Sequence, residues 1–464
     1  MRVNPGPGWL LNKRIRRQSG QALVYGLFML IAGLAALFFL FNVSQLTREK
    51  SKLVNTSDAV AYSAAVMQTR ALNFAAYTNR ALVAGEVSVA QSVSLASWGK
   101  YLVEHGRNAV SLGCSPGSTT SEPAVAQLQV YLPVCNYLAS SSQTGALTSI
   151  NDAIQRTGQQ AVIASEISKH MLRDAQRLVL VNLPVARYSV MLDVANKNYL
   201  GDGAIEVDRI PLRDTFSAFN GRPIAPTYSG DLRGRMRELV IQVVSKDGFT
   251  PQRFWRDRAQ RPDPSCASLG DFRSDFVKGG DGKLNGFDLW RSTDEANYLR
   301  WQLQKPSPSS AGNCAQSVQL LARSSQTAGP SGNTSNGSAN WAYSGIPSYA
   351  DLSADALQDP DPRAQFAVRL LRQASQTRTS DARSEIKTTP RLNAYTSAVP
   401  TESQTQQKVY VGLSAAESFF ARPVARDDGN TELASLFNPY WQTRLLEVPD
   451  HVRALARAMW CTPA

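Results

Sequence analysis

Residues 21–43 (QALVYGLFMLIAGLAALFFLFNV) form an apolar run without one charged side chain, directly behind the basic cluster Lys13, Arg14, Arg16 and Arg17. As an α-helix this run reaches about 34 Å, enough to cross a hydrocarbon core of about 30 Å. The positive-inside bias then holds residues 1–20 as a cytoplasmic basic tail and sends residues 44–464 across the membrane. A secretory signal peptide also joins a basic start to an apolar stretch, but that stretch is shorter, about 7–15 residues, and ends at a small-x-small cleavage site. The end of this run, FFLFNVSQL, offers none. Twin-arginine export fits less well still, because the pair Arg16-Arg17 leads into Gln18 and Ser19 rather than apolar residues. The expected placement is a single-pass protein of the bacterial inner membrane, with a cytoplasmic N-terminus and the bulk of the chain periplasmic or extracellular.

The formal charge of +12 says little about partners once its location is considered. Arg2, Lys13, Arg14, Arg16 and Arg17 stand in the tail with no acid beside them, which leaves +7 spread over the remaining chain. A nucleic-acid surface gathers Lys and Arg on one face with aromatic or hydrogen-bonding companions, and no such run follows the anchor. Nucleic acid is therefore not an expected partner, and no small-molecule substrate is evident.

The cysteines Cys114, Cys135, Cys266, Cys314 and Cys461 all follow the anchor, on the oxidising side of the membrane in this topology. None stands in a CxxC, and the histidines His105, His170 and His451 are isolated, so a metal site and a cofactor are not expected. Disulfides are. Joining neighbours, Cys114 with Cys135 and Cys266 with Cys314, closes loops of about 20 and 50 residues, each contributing about 3–4 kcal/mol in the chain-entropy view. Crossed pairings and buried free thiols are the alternatives, and Cys461 is left over.

No proline occurs between Trp9 and Ser115, so the membrane helix is expected to continue outward as a stalk. Ala61, Ala64, Ala65, Ala71 and Ala75 recur at helical spacing there, giving a narrow stripe that permits close helix contact. A second alanine-rich stretch, about 146–200, is expected to fold back on the first, with a kink or break at Pro184. After Tyr199 the pattern reads as β. GDGAIEVDRIP (201–211), ELVIQVVSKDG (238–248) and the shorter segments 287–290, 298–303 and 408–413 are strand candidates. GGDGKLNG (279–286) reads as a hairpin turn, and the polar stretches at about 305–345 and 372–407 as loops or disordered insertions. The fold class is α+β: a tail (1–20), a transmembrane helix (21–43), an alanine-rich helical stalk and hairpin (44–200), and a β-containing outer domain (201–464).

Within the anchor, Ala22, Gly26, Gly33 and Ala36 fall within about 40° of one direction at about 100° per residue. Such a small-residue face lets another helix approach closely in a bilayer, although Gly and Ala are also common in membrane helices generally.

Catalytic motifs fail on company. Ser97-Trp-Gly-Lys100 matches SxxK but no KTG accompanies it, and Ser380-Asp381 is followed by Ala rather than Asn. The glycines of 279–286 lack the spacing of a phosphate loop, and an EF-hand begun at Asp281 would place Lys283 at a ligand position and Ser292 where Glu belongs. An enzyme is not expected.

Ser19-Gly20-Gln21-Ala22-Leu23-Val24-Tyr25-Gly26, the apolar run, and then Leu53-Val54-Asn55-Thr56-Ser57-Asp58-Ala59-Val60-Ala61 together resemble the N-terminal helix of the TadE/TadG-like proteins of Flp (Tad) pilus assembly. That helix has a glycine start, an apolar span and a closing Leu-x-x-x-x-Asp-Ala-x-Ala pattern. The resemblance covers about 50 residues; Phe419–Pro423 and Ser435–Gln442 resemble the group more loosely. It implies a non-enzymatic envelope component of a Tad-like pilus or secretion machine, an accessory assembly protein or minor pilin-like subunit. Other machine subunits would be met through the anchor and stalk helices. Prepilin-type processing would cut between Gly20 and Gln21. Two departures matter. Asp351-Leu-Ser353-Ala-Asp355 lacks the second Ser of the von Willebrand type A metal motif of larger TadG proteins, and Tyr25 stands where type IV pilins carry Glu. The alternative function is a membrane-anchored envelope enzyme or binding protein acting on cell-wall or surface polymer.

Overall fold

The computed structural model describes residues 21–115, 118–119, 125–131, 133, 135, 137, 144–261, 270–305, 314–328, 341–373, 376–377 and 409–458. Its spine is α1, Gln21–Ser111, an unbroken helix of 91 residues and about 136 Å at 1.5 Å per residue. Helix formers run without proline through the whole element, so nothing interrupts the backbone ladder between the apolar start and the polar end. The chain then passes through two short strands, β1 (Cys114–Ser115) and β2 (Ser118–Thr119), and returns along α1 as α2, Thr144–Asn198.

Pro184 lies inside α2 and does not break it. The physical reason is that Leu183, Arg187, Met191 and Ala195, four apart, are buried on both sides of the proline, while Pro184 itself is exposed. Packing of that face carries the helix past the lost N–H.

Next come β3 (Glu206–Val207), β4 (Arg213–Asp214), β5 (Thr227–Tyr228) and the helix α3 (Gly234–Val244). Of the strand expected over 201–211, only Glu206 and Val207 pair. The strand expected at 238–248 is a helix for most of its length. Met236, Val240 and Val244, spaced by four, are its buried residues and join the core cluster around Trp290 and Trp341. The β-branched cluster suggested a strand, and the helical period of the buried face overrode it.

Four strands follow the order β6-β7-β8-β9, all antiparallel: β6 (Trp255–Gln260), β7 (Gly270–Asn285), β8 (Leu289–Gln304) and β9 (Ala315–Ala328). Two expectations change here. The glycine run does not make the hairpin turn, which falls at 286–288; Gly279, Gly280 and Gly282 lie within β7. A Cβ at Gly280 would sit 2.3 Å from Asp294 Oδ1, and one at Gly282 would sit 2.6 Å from Ser94 Oγ of α1. These glycines serve close approach of the strand to its neighbours. The polar region 305–345 likewise holds β9 over 315–328; 306–313 and 329–340 lie outside the described residues.

The remaining elements are β10 (Tyr349–Ala350), α4 (Ala354–Gln358), β11 (Ala364–Gln373), β12 (Val409–Phe420), β13 (Trp441–Leu446) and α5 (Asp450–Ala458). A second sheet has the order β13-β12-β11-β3, with β4 also on β11. Most of the 372–407 stretch lies outside the described residues.

Of the five apolar clusters among the described residues, four include α1 side chains. The expected alanine stripe explains how. Ala61, Ala64, Ala65, Ala71 and Ala75 are all buried, and their small size lets α2 and the second sheet lie against the spine. Helices and sheets thus share their cores along one axis.

Candidate functional site: the spine helix and its two surroundings

From Ala22 to Phe41 every described side chain of α1 is exposed. Ala22, Gly26, Gly33 and Ala36 are among them, and a Cβ built on Gly26 or Gly33 would meet nothing within 4 Å. Gln21 opens the helix; Gly20 lies outside the described residues. This stretch is long and apolar enough to cross a membrane. A window of α2 passes the same test of length and composition, but α2 lies along α1 and sends Gln176 and Arg187 into their shared seam.

Above Asn42 the surroundings invert. Leu53 is fully buried against β12, where a Cβ on Gly412 would lie 3.1 Å from both Leu53 Cγ and Leu53 O. Asp58 accepts a 2.7 Å hydrogen bond from Ser414 Oγ. Gln68 Nε2 donates to Ala364 O at 2.9 Å, and Thr69 Oγ1 donates to Ser418 Oγ at 2.7 Å. Asn73 exchanges two 3.0 Å bonds with the backbone of Trp441, and Asn79 Nδ2 donates to Ala350 O and Leu436 O, each at 2.7 Å. Buried amides aimed at named carbonyls fix the rotation of the helix as well as its position.

Higher on the spine Glu86, fully buried, meets Lys169 of α2, which also pairs with Glu166 at 2.6 Å. Trp290 Nε1 and Tyr343 OH donate to Glu86 Oε2 at 3.0 and 2.7 Å, so with Lys169 the Glu86 carboxylate is held by three donors. A second buried cluster sets Asp294 between Lys278 and Arg253, whose Nε lies 2.9 Å from Asp294 Oδ1. At the top, His105 stacks near Tyr101, Phe276 and Tyr298 with ring centroids 5.2–5.8 Å apart, and burial lowers its pKa to about 4.

These ion clusters escaped sequence reasoning, since partners such as Glu86 and Lys169 are far apart in the chain. The Glu166-x-x-Lys169 pair amid apolar helix residues was the one local signal. Of the other motif candidates, Ser97 and Lys100 stand one turn apart on α1. Ser97 is fully buried, Lys100 is half-buried with its pKa lowered by burial, and Ser380-Asp381 lies outside the described residues. Asp351 is buried against Arg235 at 2.8 Å, and Ser353 caps α4, its Oγ accepting from Ala356 N at 3.2 Å. No group of three or more His, Cys, Asp or Glu suited to a metal occurs among the described residues.

Cys114 and Cys135 form a disulfide with Cα atoms 5.4 Å apart, beside Tyr131 and Leu112 at the end of α1. Cys314 is disulfide-bonded as well; Cys266 and Cys461 lie outside the described residues.

A groove of about 700 Å³ opens on the outer face of β7 and β8, lined by Phe254, Asp281, Lys283, Arg291, Thr293 and Glu295 among others. Its carboxylates have cation partners, Asp281 with Lys283 and Glu295 with Arg323 at 3.3 Å.

Residues 20–68 match the family model of Flp pilus-assembly TadE/G-like domains. No curated protein and no solved structure matches the chain. The matched segment therefore covers the bare stretch of α1 and its first encased turns, ending where Gln68 and Thr69 seize the second sheet. A TadE/G-like match over residues 20–68 and an exposed apolar helix fit a pilus-assembly-related, membrane-anchored envelope protein.

Proposed function

We propose that this protein is a bitopic, N-in envelope component of a Tad-like pilus or secretion machine, an accessory assembly protein or minor pilin-like subunit that works by packing and not by catalysis. The observation that carries this reading is the contrast along α1: a span whose small-residue face is exposed among the described residues, joined without a break to a spine locked into a folded body. A face of Ala22, Gly26, Gly33 and Ala36 lets a second membrane helix come close, and in a bilayer van der Waals packing is the main reward for doing so. The exposed side of α1 goes on upward through Ser44, Thr47, Ser51, Asn55, Tyr62 and Tyr77, offering a long helix a continuous partner. In this reading residues 21–43 are the one span, in the inner membrane, and the folded body stands on the far side. If processing after Gly20 occurs, the mature chain begins at Gln21 and the minor-pilin form is favoured.

The test is a photo-crosslinking amino acid at Gly33 and at Tyr62 in cells carrying the intact machine. Adducts with identified pilus-machine subunits are expected; adducts with lipid alone at Gly33 and none at Tyr62 would defeat the proposal. Orientation has its own check. A membrane-impermeant thiol probe added outside should label an introduced cysteine at Leu232 and not one at Ser19, and the reverse pattern would invert the topology.

The groove over β7 and β8 favours a second reading, a binding protein for cell-wall or surface polymer. Its lining of hydrogen-bonding and charged side chains around Phe254 suits a polar chain molecule, and the ion-paired state of Asp281 and Glu295 suits binding rather than proton transfer. Retention of the protein on insoluble cell wall that Arg291→Ala abolishes would favour it; no retention would remove it.

A further inference from the structure

The structure assigns the turn after α2, residues 199–204, to the headgroup layer of the bilayer, as a second membrane contact beside the span. The inference rests on the reading of residues 21–43 as a membrane helix. Because α1 is unbroken, height above the membrane can be counted along it. Glu49 and Lys52 lie six and nine residues beyond Val43, about 9 and 14 Å along the axis. The polar layer on each side of a bilayer is about 5–8 Å thick, so Glu49 and Lys52 stand just above it; a span of about 34 Å in a core of about 30 Å has length to spare for tilting, and a tilt toward α2, part of this assignment, brings the turn down into the layer.

The folded body reaches down to this level. Leu46 already packs against the cluster of Leu53 and Tyr199. Lys50 Nζ donates to Val411 O, and Lys52 pairs with Asp202. Lys52 Nζ lies 4.3 Å from the centre of the buried Tyr199 ring. Arg372 pairs with Glu49 and donates to Asp202 O at 2.6 Å and Ala204 O at 3.3 Å. Both ends of the turn are thereby pinned to the helix just above the span. Within it Leu200 is 87% exposed, beside Gly201 and Gly203, whose φ values of +81° and +99° let the chain reverse here. A leucine so placed has no apolar neighbour to gain in water, whereas the boundary between headgroups and acyl chains supplies one.

Charge agrees with that neighbour. Arg48, Lys50, Lys52, Lys197 and Arg372 stand with Glu49, Asp193, Asp202 and Glu206 in this region, five cations against four anions; with Lys52, Lys197 and Arg372 ion-paired inside the chain, the exposed Arg48 is the cation left to meet a lipid phosphate. A helix held only by its span is free to rotate about its axis. A second contact to one side of that axis restrains this rotation, so the exposed stripe of α1 is presented in a constant direction.

Full-length protein in phosphatidylethanolamine–phosphatidylglycerol vesicles tests this, with an environment-sensitive fluorophore on Leu200→Cys, Leu34→Cys or Leu232→Cys and the unsubstituted chain as background. Lipids spin-labelled at the headgroup should remove most of the Leu200→Cys emission and leave Leu232→Cys unchanged, while lipids labelled deep in the acyl chain should quench Leu34→Cys. Leu200→Cys behaving like Leu232→Cys while Leu34→Cys is quenched would overturn the headgroup contact alone. Loss of deep quenching at Leu34→Cys would overturn the membrane span and the contact with it.

Discussion

The lower and upper parts of α1 carry small residues in opposite surroundings. Between Ala22 and Phe41, Gly26 and Gly33 have open space where a side chain would project. Between Leu53 and Ala76, alanines of similar spacing are buried against α2 and the second sheet, and Gly412 on β12 has no room for a methyl group. Small side chains always permit close approach; whether the chain supplies the approaching partner distinguishes an internal seam from an external one. Polar residues mark the boundary. Among the described residues the side chains of the lower part are all exposed, whereas the upper part places Asp58, Gln68, Asn73, Asn79 and Glu86 in turn against atoms of its own body.

The comparison breaks most forcefully at the upper seam. Lys169→Met leaves Glu86 and Glu166 buried without their cation and should cost about 3–5 kcal/mol of folding stability, read from denaturant unfolding of the detergent-solubilised chain. A loss under about 1 kcal/mol would mean that water reaches this pair. Gly412→Val is next: its Cβ is forced against Leu53 side chain and backbone and against Ser57, and overpacking of this kind costs about 1–3 kcal/mol. Neither change should affect insertion of residues 21–43, which packs against none of these groups.

A pH effect should follow from His105. Its folded pKa of about 4 lies below the ordinary value of 6.5, so the unfolded chain binds the extra proton first. This contribution is complete above about pH 6.5 and is lost as the pH falls from there toward about 4, with a slope of at most about 1.4 kcal/mol per pH unit. Urea midpoints across that range should fall more for the native chain than for His105→Phe. Equal slopes would place His105 in a wetter environment than the ring stack suggests.

The spine was legible because two strong local signals agree along it, an uncharged apolar run and the absence of proline to Ser115. The return helix was legible from its alanine-rich apolar periodicity, although Pro184 looked like a stop and is not one. What escaped depends on distant partners. ELVIQVV has β-branched composition, and only the presence of the Trp290 cluster decides that its period of four wins. The glycines of β7 looked like a turn because the crowding by Ser94 and Asp294 that demands them comes from elsewhere in the fold. β9 reads as polar linker until β8 supplies its ladder. For the candidate site, Ala22, Gly26, Gly33 and Ala36 could be read from helical phase alone, while the encasing contacts of Leu53 and Asp58 could not, their partners Gly412 and Ser414 being some 350 residues away.

The central claim is that the lower small-residue face serves another chain and the upper one serves this chain. Gly33→Leu tests it most directly, measured by co-purification of pilus-machine subunits with the tagged, membrane-extracted protein alongside its unfolding midpoint. The account predicts an unchanged midpoint, because nothing lies within 4 Å of that position, together with a marked fall in recovered subunits. Full recovery of those subunits with Gly33→Leu would contradict it.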